Sequence, residues 1–172
     1  MSCSVSTSMY NADYVPDVNS EPVILTDPNQ NTLQGTTGTI SYNYCRSGYE
    51  ANVAYMFSEN YSPRGLSDYP YRAGVYVQYT FTNAVRLLSK ITFRAYIDNT
   101  RTDSTTYSIW VSYNGTDFTC IESNIVLQTR FSSQFEGNYS EANVKAIRVQ
   151  IDGSGKTDDD SYIVDVRLYG TP

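Results

Sequence analysis

The sequence predicts an all-β domain, an antiparallel β-sandwich or jelly roll of about eight strands. The main observation is that apolar residues recur at every second position over most of the chain from Val23 onward. A period of two gives each strand one face for the core and one face for solvent. Turn-forming residues separate these runs, and only residues 49–58 and 139–146 have a mildly helical pattern. Together these observations indicate stacked sheets whose connecting loops gather at their ends.

The elements follow in chain order. Residues 1–20 are polar and aperiodic, which predicts an extended N-terminal arm, either a frayed terminus or a strap onto a neighbouring subunit. The sandwich domain is expected to cover residues 21–172. Asn114-Gly115 predicts a tight hairpin, because such a turn favours positive φ at both central residues. The predicted strands are TISYNYC (39–45), VYVQYTF (75–81), LLSKITFRAY (87–96), YSIWVSY (107–113), FTCIE (118–122), NIVLQTRF (124–131), VKAIRVQI (144–151) and YIVDVRLYG (162–170).

The charge of the chain restricts its partners. The formal net charge is −6, and the 12 Lys and Arg residues are spread along the sequence. Nucleic acid and anionic membranes are therefore not expected, since phosphate-binding surfaces cluster cationic side chains. There is no membrane-spanning apolar run and no signal-peptide pattern at the N-terminus. We expect a protein that is cytoplasmic before it joins a virion or another extracellular-facing assembly.

The sequence lacks the residues and motifs that most catalytic mechanisms require. The sequence contains no histidine, which excludes Ser-His-Asp and Cys-His catalysis together with imidazole metal ligands. GxSxG, GxGxxG and phosphate-cradling motifs are also missing. Two carboxylates could still hydrolyse a glycosidic bond, but no pattern places a pair of them across a cleft. The prediction is a protein that is not an enzyme and requires no cofactor.

The three cysteines, Cys3, Cys45 and Cys120, are widely spaced and form no metal-binding pattern. Free thiols buried in the core are favoured, because a chain of this size does not need a disulfide to fold. A Cys45–Cys120 disulfide is the alternative.

The order of the segments carries a family resemblance. AYMFSEN (54–60) precedes an aromatic, proline-containing loop, the strand at 75–81, a YSIWVSYNGTDF hairpin (107–118) and a closing YIVDVRLYG strand (162–170). This series resembles the discoidin family, the coagulation-factor C-type domains that share the galactose-binding-like fold with many carbohydrate-binding modules. The resemblance covers about residues 40–170 and agrees with the independent period of two. It implies an eight-stranded sandwich that binds glycans, lipids or proteins through loops at one end, without catalysis.

The resemblance also raises the question of a metal. Many discoidin domains carry a structural calcium beside an Ala-Phe-Asp-Gly-Asn-like loop, which here reads MFSEN (56–60), with serine in the place of aspartate. Asn60, Ser62 and, in the closing strand, Asp165 could still supply oxygen ligands. Calcium at these residues is left open, because the missing carboxylate weakens a site for a hard cation.

The candidate ligand-binding residues lie in predicted loops at 47–50, 66–73, 98–105 and 134–140. The best cluster is Tyr69, Tyr71 and Arg72, because aromatic faces beside a fork of donors suit a sugar ring and its hydroxyls. The alternative at each position is a tyrosine that only covers a sheet edge. Further candidates are Tyr49, Arg101, Asp103 and Tyr139. Trp110 alternates away from the core row and is either an exposed platform or a ring packed under a loop.

Two functions follow from these features. The first is a non-catalytic binding module displayed on a larger assembly, with a glycan or a cell-surface receptor as its partner. The second is a structural or decoration protein of a phage particle, attached to capsid or tail proteins through the arm, with or without sugar binding. A homo-oligomer is compatible with both.

Overall fold

The structure is a computed structural model, and it describes residues 23–24, 32–33, 36–45, 53, 56–57, 66–67, 73–97, 104–128, 133–154 and 161–172. The predicted arm lies outside these residues. Nearly all of the described backbone is β-strand, which confirms the predicted all-β class, and no described helix has the length and apolar character needed to cross a membrane. The strands are β1 (Val23–Ile24), β2 (Thr32–Leu33), β3 (Thr36–Tyr42), β4 (Leu66–Ser67), β5 (Val75–Ile97), β6 (Ser104–Ser112), β7 (Thr119–Gln128), β8 (Ser133–Ser154) and β9 (Ser161–Thr171).

The strands form two sheets, and two long strands, β5 and β8, take part in both. The first part of β5 pairs with β3 and with the C-terminal part of β8, and β6 and β7 continue this five-stranded sheet in the order β3-β5-β8-β6-β7. Beyond a register shift between Thr80 and Val85, β5 lies between β9 and the N-terminal part of β8. This second arrangement is called the β9-β5-β8 sheet below, and β1 and β4 pair with the β9 strand. All pairings are antiparallel.

The predicted alternation produces the core. Val75, Val77, Tyr79 and Phe81 point inward from β5 and are at most 2% exposed. The ring of Phe93, on the β9-β5-β8 sheet, lies 5.3 Å from the ring of Tyr107 on the five-stranded sheet. Other buried side chains on the predicted core rows are Ile91, Ala95, Ile109, Val111, Ile147, Val149, Ile151, Val166 and Leu168. The sheets therefore stack face to face, and the predicted sandwich is confirmed.

Several predicted boundaries are wrong, because strands continue through stretches whose residues favour turns or helix. The predicted strands at 75–81 and 87–96 are one strand, and those at 118–122 and 124–131 belong to β7, which accommodates Asn124 at a φ of 59°. Residues 139–146, predicted as mildly helical, are part of β8. Residues 82–84, Asn124 and Asn143 are exposed, so pairing of the flanking residues with neighbouring strands, rather than burial, carries the strands through these segments.

The hairpin between β6 and β7 is also different from the prediction. It spans residues 113–118, and the positive φ is found at Gly115 (89°) rather than at both central residues. The side chain of Asn114 organises the loop instead. Its Oδ1 accepts hydrogen bonds from the backbone N–H groups of Thr116 and Asp117, each at 2.9 Å.

The cysteine predictions are corrected as well. Cys45 is present as a thiol, whereas Cys120 is disulfide-bonded to a partner outside the described residues. A Cys45–Cys120 disulfide is ruled out because Cys45 carries a thiol; Cys45 follows β3 at one edge of the five-stranded sheet, and Cys120 lies in β7 at the other edge. Four strand spacings separate those edges by about 19 Å, and a disulfide needs Cα atoms within about 7 Å. The expectation of a free thiol at Cys120 was therefore also wrong.

Candidate functional site

Most of the residues predicted to bind a ligand lie outside the described part of the chain. They are Tyr49, Tyr69, Tyr71, Arg72, Arg101 and Asp103, together with the predicted metal ligands Asn60 and Ser62. The strand ends that flank the loops are described. On one sheet Ser104 pairs with Gln128, and on the other Ile97 pairs with Ser161. The short connections between these ends bring them to one end of the sandwich, and the loop residues stay as predictions.

Tyr139 is not in a loop. It lies in β8, where it is half-buried and packs against the core. Its ring covers Gly137, and a Cβ atom at that glycine would lie 2.7 Å from Tyr139 Cζ. Burial raises the pKa of Tyr139 above its usual range, and the Glu122 carboxylate adds to this effect. The predicted loop at 134–140 is thus part of a strand, and ligand binding by the half-buried Tyr139 stays a prediction.

Asp165 lies on the outer face of the β9 strand. Its side chain is 12% exposed, and its Oδ1 accepts a hydrogen bond from Arg167 Nε at 3.2 Å. In the part of the chain that the structure describes, no group of three or more His, Cys, Asp or Glu residues is arranged to hold a metal ion. Asp165 thus forms an ion pair, and calcium binding stays a prediction, because Asn60 and Ser62 lie outside the described residues.

Asp165 belongs to a groove of about 290 Å³ on the outer face of the β9-β5-β8 sheet. The register aligns side chains from the three strands in rows. One row is Gln134, Arg94 and Asp165, and the next contains Thr92 and Arg167 between β5 and β9. Strand and residue spacings make this array about 10 Å wide and about 13 Å long, enough for one or two sugar rings. The groove is lined by Thr92, Phe93, Arg94, Gln134, Asp165, Arg167 and Tyr169.

Tyr169 forms one end of the groove. It is partly exposed, and it pairs in register with Lys90, whose Nζ lies 4.3 Å from the centre of the tyrosine ring. At the other end, burial raises the pKa of Asp165, while the positive charges of Arg167 and Arg94 lower it less strongly. The groove thus combines an aromatic ring, planar amide and guanidinium groups, and a partly desolvated carboxylate.

The outer face of the five-stranded sheet is also polar, but its groups bind one another. Trp110 is half-buried, and its Nε1 donates to Ser108 Oγ at 2.8 Å. Arg148 is stacked between the rings of Tyr76 and Phe118, at 3.8 Å and 3.9 Å from their centres. These contacts engage the N–H group of Trp110, the guanidinium of Arg148 and one face each of the Tyr76 and Phe118 rings. Trp110 is half-buried, which fits the packed alternative better than an exposed platform. The groove is the better candidate for a binding site.

The groove was not predicted as a site, because its residues are far apart in the sequence. Arg94, Asp165 and Arg167 do occupy outward positions in strands that the period of two predicts. Of these, Asp165 was predicted only as a possible calcium ligand. The period of two shows which face a side chain takes but not which strands are neighbours. Gln134 falls in the predicted binding loop at 134–140, which is part of a strand in the structure.

The fold is the galactose-binding-like β-sandwich found in discoidin domains and carbohydrate-binding modules. Among solved structures, the chain is similar to a pectin-binding carbohydrate-binding module, with 10% identity, coverage of 76% of this chain and 88% of that chain, and a TM-score of 0.56. The F5/8 type C domain of a Bacteroides fragilis protein is similar at 15% identity, with a TM-score of 0.51. The match covers 78% of this chain and 91% of that chain. The CBM32 module of AlyQ, in complex with 4,5-unsaturated mannuronic acid, is similar at 13% identity, with a TM-score of 0.50. The match covers 76% of this chain and 92% of that chain.

At these identities the similarity shows the fold. No protein-family model and no curated protein matches the chain.

Proposed function

We propose that the chain is a non-catalytic glycan-binding module and that sugar residues bind in the groove on the β9-β5-β8 sheet. The groove itself is the observation that carries this proposal. It offers planar hydrogen-bonding groups from Arg94, Gln134 and Arg167 beside the ring of Tyr169. Sugar hydroxyls need such donors and acceptors, while the apolar face of a sugar ring packs on an aromatic side chain.

The rigidity of the sheet supports this function. Arg94 is on a central strand that is paired on both sides, so its backbone is held by β8 and β9. Thr92, only 7% exposed, lies beneath the longer side chains of the groove. A site on paired strands keeps its donors in place before the ligand arrives, which lowers the entropic cost of binding. Proteins named as carbohydrate-binding modules share the fold, including ones whose names state pectin and mannuronic acid as ligands.

The carboxylates of this face argue against glycoside hydrolysis. Asp165 and Glu136 are on strands that flank β5, one row apart. Both carboxylates rise from the same face of one sheet, whereas glycosidases hold their two carboxyl groups on either side of the scissile bond. Asp165 is also engaged by Arg167, so binding without turnover is the function that the groove supports.

A glycan array followed by titration calorimetry tests the proposal. We expect the purified protein to bind a subset of glycans, and Tyr169→Ala to weaken that binding by about tenfold or more. Tyr42→Ala, which removes a 40% exposed tyrosine from β3, is the matched control and should bind like the wild type.

Tyr71→Ala tests the loops predicted from the sequence. A loss with Tyr71→Ala and none with Tyr169→Ala would move the site from the groove to those loops. A correctly folded protein that binds no glycan at all would refute the function.

A further inference from the structure

The groove is locally cationic in an acidic protein. Among the described residues, the register places three positive side chains on the outer face of the β9-β5-β8 sheet, Lys90, Arg94 and Arg167, and two negative ones, Glu136 and Asp165. The described part of this face therefore carries one net positive charge, while the whole chain has a formal charge of −6. A local reversal of sign on one rigid face favours an anionic ligand over a neutral one.

The positive groups are placed to bind such a ligand. Arg94 occupies the central strand and lines the groove, with Gln134 on one side and Asp165 on the other. Arg167 contacts Asp165 through Nε, and a guanidinium carries further N–H donors on its two terminal nitrogens. Its side chain is 24% exposed, so those donors can reach a ligand from solvent.

We propose that the groove is specific for sugars that carry a carboxylate, which binds to the guanidinium groups of Arg94 and Arg167. This inference rests on the proposed glycan-binding function and names its ligand class. The planar fork of a guanidinium matches the two oxygens of a carboxylate, and such charge-assisted pairs are about twice as strong as neutral hydrogen bonds. Gln134 and Thr92 then face the sugar hydroxyls, and Tyr169 lies against the ring at the opposite end of the groove.

The same groove could attract a sulfated sugar, because sulfate is also an anion. The carboxylate is favoured because it holds one negative charge on two oxygens, whereas a sulfate ester spreads the same charge over three oxygens and is the weaker hydrogen-bond acceptor.

Titration calorimetry with matched ligands tests the inference. The probes are trisaccharides of galacturonate, glucuronate and mannuronate, their methyl esters, and a sulfated galactose trisaccharide. The ester keeps the ring and the hydroxyls and removes only the charge. We expect at least one acid to bind about tenfold or more tightly than its own ester. The preference should shrink as ionic strength rises, because the contributing charges are partly exposed.

Arg94→Gln should abolish the preference by lowering the affinity for the acid by about tenfold more than the affinity for the ester, so that the two ligands bind about equally. Arg86→Gln removes an exposed arginine from the same strand outside the groove and should keep the preference. Equal binding of acid and ester by the wild type, or tighter binding of the sulfated sugar, would overturn the inference and leave the glycan-binding function standing. If no glycan of any kind binds, the function itself fails.

Discussion

Replacing Phe93 and Tyr107 by leucine, singly and together, tests whether the two sheets are stacked through these rings. Both side chains are at most 1% exposed, and their ring centres are 5.3 Å apart. Each single change should lower the free energy of unfolding by about 1–3 kcal/mol, because a leucine leaves part of the ring volume empty. The double change should cost less than the sum of the single changes by about 0.5–1.5 kcal/mol, the usual coupling of an aromatic pair.

Urea unfolding followed by tyrosine and tryptophan fluorescence provides the four free energies of this cycle. A second cycle, Phe93→Leu with Phe81→Leu, is the control, because Phe81 packs against Tyr79 with ring centres 5.0 Å apart. We expect the coupling in the control cycle to be below about 0.5 kcal/mol. A Phe93–Tyr107 coupling as small as that of the control would refute the face-to-face stacking on which the position of the groove depends.

Two further changes test packing and electrostatics. Gly38→Ala should cost about 1–3 kcal/mol, seen as a lower melting temperature in circular dichroism, since overpacking a core forces its neighbours to move. The new Cβ would lie 2.6 Å from both Tyr79 Cζ and the Thr80 carbonyl oxygen. Asp165→Asn should change stability in a pH-dependent way. Burial raises the pKa of Asp165 in the folded protein above its ordinary value of 3.8. The protonated group therefore stabilises the wild type at pH values below 3.8. This stabilisation is lost as the pH rises through the pKa of the folded state. Urea unfolding between about pH 3 and about pH 6 should therefore show that the free energy of unfolding of Asp165→Asn increases relative to that of the wild type as the pH increases.

A different result would contradict each of these two predictions. Thr39→Ala, an exposed change next to Gly38, should be nearly neutral, and an equal loss in both variants would mean that the close packing at Gly38 is not the cause. If the free energy of unfolding of Asp165→Asn instead falls relative to that of the wild type as the pH rises, the ion pair with Arg167 outweighs the effect of burial.

The strand faces could be predicted from the sequence because the core selects them. Val75, Val77, Tyr79 and Phe81 alternate with polar residues in a segment that is paired on both edges, so the period of two is undisturbed. The same reasoning failed at Gln134–Tyr139, where Gly137 and Asn138 suggest a turn. In the structure Gly137 lies in a strand, and its missing side chain makes room for the ring of Tyr139.

The groove could not be predicted, because it depends on strand order and register. Arg94 becomes the neighbour of Asp165 only when β9 pairs with the second half of β5, beyond the register shift between Thr80 and Val85. A single sequence does not show that β5 continues through this irregularity. The predicted loop site, by contrast, came from local composition, so its ranges share only Gln134 with the groove, and none of the residues predicted to bind the ligand lines it.

The passage of β5 and β8 through both sheets also has a consequence for how the chain folds. Val75 pairs with Ile151, and Ala95 pairs with Ser133, so β5 cannot form its ladder until a much later segment has been synthesised and has collapsed onto it. Pairings so distant along the chain give a high contact order, which is typical of domains that fold in milliseconds to seconds rather than microseconds. During that interval the apolar rows of β5 are exposed to other nascent chains, so aggregation competes with folding at high concentration.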